Sequence, residues 1–137
     1  MLRNSSNVTV RGPGGIRAPG GTFWGVRNKR PEVRGYCLLK LDGCQDVRIS
    51  GMRFMDSPMY QVVVARSSNV WLQGLQITLS SAVLGDSGAH NTDGVSIIAS
   101  NEVYIRDSVI ESGDDNVVIK EGSHHISAEG LVLRRGK

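Results

Sequence analysis

Two short acidic motifs hold most of the chemistry available to this 137-residue chain. Asn91-Thr92-Asp93-Gly94 is followed by Gly113-Asp114-Asp115, which puts Asp93 and Asp115 22 residues apart. Carboxyl groups can protonate a leaving oxygen or take a proton from water, the two tasks of general acid–base catalysis. Three of them on one patch could not all ionise freely, so one is expected to keep its proton above the usual carboxylate range. Asn-Thr-Asp-Gly alone reads equally well as a turn, since Asn, Asp and Gly are all turn formers. The same holds for Gly-Asp-Asp alone. A calcium site is the other use of clustered carboxylates, but the oxygen-rich loop pattern of such sites is missing.

The two motifs converge only if the chain repeats at their spacing, and it does. The segments Ser5–Val10, Cys44–Ile49, Ser67–Leu72, Ser100–Ile105 and Ser123–Ala128 share one pattern. A small residue comes first, two polar residues follow, and an apolar–any–apolar triplet closes the segment. The anchors Val47, Val70, Val103 and Ile126 are spaced by 23, 33 and 23 residues. The middle interval is one period plus an insertion, placed at the Gly/Ser-rich Ser80–His90. The 39 residues between Val8 and Val47 hold a second insertion. Four residues past the anchor stand Gly12, Gly51, Gly74, Asp107 and Gly130, and seven past it stand Phe54, Ile77, Ile110 and Leu133. The runs Gln61–Ala65, Gly94–Ala99 and Asn116–Lys120 are rich in Val and Ile. Each period thus holds two or three short strands separated by turn residues, with alternation that turns one face inward.

A period of this length means a solenoid, whose units bury their apolar faces only against their neighbours. Helical solenoids need long 3.6-periodic segments, and leucine-rich repeats need a Leu/Asn ladder; neither is present. The expectation is an all-β chain, a right-handed parallel β-helix of about four to five coils of about 23 residues, with successive strands about 4.8 Å apart. Ser5, Cys44, Ser67, Ser100 and Ser123 should form a line along it. Cys37 and Cys44 then read as small residues in or near the core. Composition adds little. Hydrophobic residues make up 39% with 5% aromatic, and the net charge is +3. Arg27, Lys29, Arg30 and Arg34 read as a solvated loop. No basic helix or aromatic-basic interleaving points to nucleic acid. No apolar run is long enough for a membrane-spanning helix, and the residues after Met1 lack the apolar core of a secretory signal.

With these residues in place, the chain resembles the polygalacturonases and their relatives, glycoside hydrolase family 28. The resemblance rests on Ala89–Val95, Ser100–Ile105 and Ser112–Lys120, with support from Leu38–Gly51, Asp56–Tyr60 and Gly12–Trp24. It implies a parallel β-helix and an inverting hydrolase that cuts α-1,4-galacturonosyl bonds of pectin, without a cofactor. It implies Asp114 as general acid, with Asp93 and Asp115 holding and deprotonating the water. It also implies an extracellular enzyme, monomeric when complete, whose partner is the pectin polysaccharide. Asn91, His90 and Lys120 are the candidate substrate-binding residues. Asn91 orders the turn that presents Asp93, and His90 is a loop residue near the cleft. Lys120 either meets a galacturonate carboxylate or is a solvated charge at a strand end.

The family also carries a Gly-His-Gly segment one coil after the Asp pair and an Arg-x-Lys clamp beyond it. The first would start near Gly136, and the clamp is missing; His124 and His125 occupy polar columns of the repeat instead. Residues 1–137 are therefore expected to be one partial β-helix domain, the N-terminal and central coils of a longer catalytic domain, weak or inactive alone. Three alternatives remain beside this reading. One is a noncatalytic polysaccharide-binding or adhesin module, which has no need of three clustered carboxylates. The second is a pectin or pectate lyase, whose calcium or arginine-base motif is not found. The third is a rhamnogalacturonan or xylogalacturonan hydrolase.

Overall fold

A computed structural model of the chain describes residues 1–85 and 89–136. It is a parallel β-helix of five coils with three faces. The first face stacks β1 (Leu2–Arg3), β3 (Leu39–Asp42), β5 (Val62–Ala65), β8 (Val95–Ile98) and β11 (Val117–Ile119) in that order. The second and third faces are built by two long strands, β2 (Ser6–Arg17) and β4 (Gln45–Met55), which run across a corner from one face to the next. In later coils that strand is split. β6 (Ser68–Gln73), β9 (Asn101–Arg106) and β12 (His124–Glu129) continue the second face. β7 (Gln76–Thr78), β10 (Val109–Ser112) and β13 (Val132–Arg135) continue the third.

The register follows the sequence repeat. Val8, Val47, Val70, Val103 and Ile126 are successive partners in one column. Phe54, Ile77, Ile110 and Leu133 form another, headed by Ile16, which a shift between Arg11 and Gly14 brings into line. Between their ends both columns point into a core of Val, Ile, Leu and Phe54, while Ile16 and Leu133 are exposed at the two ends of the second column. Aliphatic side chains suit this stack, because each β-branched residue meets its own kind one strand away.

Three columns of left-handed backbone make the corners. One holds Asn7, Asp46, Asn69, Glu102 and His125, directly before the anchors, all with φ between 49° and 55°. A second holds Asn4, Gly43, Arg66, Ala99 and Gly122, and a third Gly51, Gly74, Asp107 and Gly130. Polar residues and glycine recur there because L-residues resist this conformation. Gly12 shares the spacing of the third column but not its positive φ.

The serine line is a hydrogen-bonded ladder. Backbone N–H groups of Cys44, Ser67 and Ser100 donate to Oγ of Ser67, Ser100 and Ser123 at 3.0, 3.1 and 3.4 Å. Oγ of Ser67 and Ser100 donate in turn to the carbonyls of Ala65 and Ile98. Buried amides at the corner are satisfied from the next coil, which fixes the stacking order. Cys44 is buried in the core, as expected. Cys37 is half-buried, and burial pushes its thiol pKa up.

The two insertions carry helices that the repeat does not predict. α1 (Gly20–Arg27) lies in the first and α2 (Ser81–Leu84) in the second; residues 86–88 of the second lie outside the described residues. Gly20 and Gly21 are poor helix formers, but packing decides here. A Cβ on Gly20 would stand 2.5 Å from the Asp56 carbonyl, and one on Gly21 2.8 Å from Ala82 Cβ. The close approach lets Trp24 join Leu79 and Val83 in a second small core. Asp56 ties the insertions to the coil, accepting from Arg17 Nε at 2.9 Å and the Ser80 amide at 2.7 Å. The basic cluster is only in part the expected solvated loop: Lys29, Arg30 and Arg34 are exposed, but Arg27 ends α1, is half-buried and donates to the Val33 carbonyl.

Candidate active site

The carboxylates lie where the third corner hands the chain back to the first face. β8 and β11 pair with Val95 opposite Val117, and both pair in series with Val62 of β5. Two residues upstream of those positions stand Tyr60, Asp93 and Asp115, a column across three coils. Backbone bonds hold it: Gly94 N–H donates to the Asp115 carbonyl at 2.9 Å, and Gln61 N–H to the Asp93 carbonyl at 2.9 Å. The 22-residue spacing is thus one coil, and it stacks Asp115 on Asp93.

Two glycines make the fit possible. A Cβ on Gly94 would stand 2.4 Å from Ile110 Cγ2 and 2.5 Å from the Asn116 carbonyl. A Cβ on Gly113 would stand 2.6 Å from Thr92 Oγ1. Ser112, fully buried, donates Oγ–H to the Asp114 carbonyl at 2.7 Å and so shapes the Asp114–Asp115 turn. Asn91, with φ of 52°, donates its N–H to Asp114 Oδ2 at 3.1 Å. One turn therefore presents Asp93 and orients Asp114 from the neighbouring coil.

The three acids differ in environment. Asp93 is 5% exposed, whereas Asp114 and Asp115 are half-buried. Burial raises the Asp93 pKa above the usual carboxylate range, and the negative charges of Asp114 and Asp115 push the same way. Ser96 Oγ–H donates to Asp93 Oδ2 at 3.1 Å and opposes that rise, as does the positive charge of Lys120. Desolvation thus marks Asp93, whose carboxyl binds a proton more tightly than a free carboxylate does. Among the described residues no three His, Cys, Asp or Glu side chains are placed to hold one metal ion.

The other candidates separate. Lys120 is exposed on the outer side of the first face, with Nζ 5.6 Å from the centre of the Tyr60 ring. It shares a groove of about 520 Å³ with Tyr36, Lys40, Met59, Tyr60 and Ser96, which passes the hydrogen-bond partner of Asp93, Ser96, and reaches Met1 in the first coil. His90 is exposed, its ring centre 4.6 Å from that of Trp24, and so is braced by the first insertion. His124 and His125 are exposed on β12, at the far side of a corner. Ser96 and Tyr60 are the site residues that motif reading passed over. Register could have found both: Ser96 is three residues past Asp93, and Tyr60 one coil before it.

The parallel β-helix thus brings carboxylates of unequal burial together close to an open groove. The sequence matches the Glycosyl hydrolases family 28 profile over residues 2–137, and the chain belongs to that family. It is 30% identical to a probable polygalacturonase of Arabidopsis thaliana, over 96% of this chain and 26% of that protein. It is 31% identical to exopolygalacturonase A of Aspergillus niger, over 93% of this chain and 29% of that one. The endo-xylogalacturonan hydrolase of Aspergillus tubingensis superposes with a TM-score of 0.88 at 24% identity, covering 96% of this chain and 36% of that one. The family 28 exopolygalacturonase of Yersinia enterocolitica gives 0.75 at 15% identity, over 96% and 31%. Against its curated relatives, then, the chain spans well under a third of their length.

Proposed function

We propose that this chain carries the acid–base centre of an inverting glycoside hydrolase acting on α-1,4-galacturonan. The observation that supports it most is the Asp93–Asp115 stack, with Asp114 beside it, on the grooved face of a family 28 β-helix. Hydrolysis with inversion needs one carboxyl to protonate the leaving oxygen and another to activate water, roughly 6.5–9.5 Å apart. Acids on adjacent coils, about 4.8 Å apart in rise with diverging side chains, suit that range. Asp114 is the general acid; Asp93 and Asp115 hold the water and take its proton. The raised pKa of Asp93 suits a base, because a carboxylate that binds protons more tightly takes one from water more readily. Asn91 positions Asp114, Lys120 meets the uronate charge, and His90 lines the entrance.

The names of the curated relatives favour pectin as substrate, and with it an extracellular location. The 137 residues form one β-helix unit of a longer catalytic domain. The test is Asp114→Asn in a chain extended through the coils that follow, assayed by reducing-sugar release from polygalacturonate. Turnover is expected to fall about 10²–10⁴-fold with folding retained. Near-normal turnover would move the acid to another residue.

A further inference from the structure

The second face carries a groove that catalysis on the first face does not use. It holds about 350 Å³ and is lined by Thr9, Arg11, Arg48, Ser50, Trp71 and Gln73 among others. Thr9, Arg48, Trp71 and Tyr104 are register partners on successive coils, and so are Arg11, Ser50 and Gln73. These side chains alternate with the anchors, so they point outward. Arg11 and Arg48 lie one strand apart, about 4.8 Å, and are offset by two residues, about 6.6 Å along the strand.

Two features set this groove apart from an ordinary solvated sheet face. First, its aromatic residue is fixed. Trp71 stacks on Tyr104 with ring centres 4.2 Å apart and an interplanar angle of 23°. Its Nε1–H donates to Asn69 Oδ1 at 3.0 Å, and Asn69 Nδ2 donates to Asp46 Oδ1 at 2.6 Å. Arg48 lies over the opposite ring face, 5.5 Å from its centre. Second, its charge is uncompensated. Among the described residues Arg11 and Arg48 have no carboxylate within ion-pair distance, whereas Arg17, Arg66, Arg106 and Arg135 each do. A guanidinium stacked on indole keeps its in-plane N–H donors for a planar anion.

We propose that this groove is a noncatalytic binding site for a uronate polysaccharide, with Arg11 and Arg48 each taking a sugar carboxylate. Thr9, Ser50 and Gln73 offer hydroxyl and amide partners, and the edge of Trp71 offers an apolar surface for a pyranose ring. The site lies around a corner from the groove beside Asp93. It would hold a polymer without occupying the carboxylates. The choice of a uronate rests on charge complementarity and on the proposed function above.

The experiment is affinity electrophoresis of the chain in gels containing polygalacturonate, dextran or polyglutamate. An Asp93→Asn background prevents turnover. The double variant R11Q/R48Q should weaken retardation by polygalacturonate about tenfold or more and leave hydrolysis of short oligogalacturonides by the active protein unchanged. Trp24 is 1% exposed, so quenching of tryptophan fluorescence by polygalacturonate should come from Trp71 and vanish in Trp71→Phe. Unchanged retardation in R11Q/R48Q overturns the site. So does equal retardation by polyglutamate, which would reduce the groove to plain charge attraction. In a chain extended through the following coils, where the catalytic reading expects turnover, hydrolysis without second-face binding defeats this proposal alone, and binding without hydrolysis defeats the catalytic reading alone.

Discussion

Asp93 is held at a cost to the fold. Its pKa is raised by burial and by Asp114 and Asp115, so the folded chain binds the Asp93 proton more tightly than the unfolded chain does. Linkage then gives the sign. The folded state is favoured while Asp93 is protonated, and stability is lost as pH rises from the ordinary carboxylate value through the raised one. Asp93→Asn removes that loss and keeps an acceptor for Ser96. It should melt at a higher temperature than the parent at neutral pH, with the gain shrinking toward pH 4, while turnover collapses. Thermal melts at several pH values check this. A lower melting temperature for the variant at pH 7 would show that the site is not strained in the direction described. The carboxylates themselves were legible in sequence, because motif and spacing coincide. Their ranking was not: only burial distinguishes Asp93 from the half-buried pair, and burial depends on how coils distant in sequence stack, which no local pattern records.

Among elements, the β8–β11 pair is the most demanding, because its approach depends on Gly94. Its Cβ position is already filled by Ile110 and the Asn116 carbonyl. Gly94→Ala should destabilise the chain by about 1–3 kcal/mol through overpacking. It should also displace Asp93 from Asp115, so that activity falls further than stability predicts. Urea unfolding beside turnover at matched folded fraction tests this; a loss of activity matching the loss of folded protein would make Gly94 a packing residue only. The strands were readable because anchors and small residues recur. The columns of positive φ explain why two polar residues precede each anchor. The helices α1 and α2 were not readable. Gly20, Gly21 and Trp24 make helical sense only once Ala82, Val83 and Asp56 are beside them, and those contacts join residues far apart in the chain, from Gly20–Asp56 to Gly21–Ala82.

At the scale of the whole chain, the fifth coil is the least protected. Ile119, Val132 and Leu133 are each about half exposed at that end, and β11, β12 and β13 each pair on one side only among the described residues. Unpaired strand edges template association, and a terminal repeat lacks the neighbour that stabilises it. The isolated 137 residues are therefore expected to self-associate and to hydrolyse galacturonan poorly. A version extended by three or four following coils should be monomeric and active. Light scattering and reducing-sugar assays on both decide it. A monomeric short chain that matches the long one in rate would show these coils to be self-sufficient.

Length varies at one corner of this β-helix far more than at the others. Between the third face and the first, the chain runs through 18–38 in the first coil, 56–61 in the second, 79–94 in the third and 113–116 in the fourth. The remaining corners, pinned by the serine ladder and the left-handed columns, change by little more than an inserted residue, between Arg11 and Gly14 in the first coil and before β12 in the fifth. The carboxylates lie on this variable corner, yet their spacing is set by strands that do not vary. Natural selection or a protein engineer can therefore lengthen, swap or delete these loops and reshape what reaches the groove, while the distance between Asp93 and Asp115 stays one strand spacing. One fixed carboxylate spacing can in this way face grooves of many shapes.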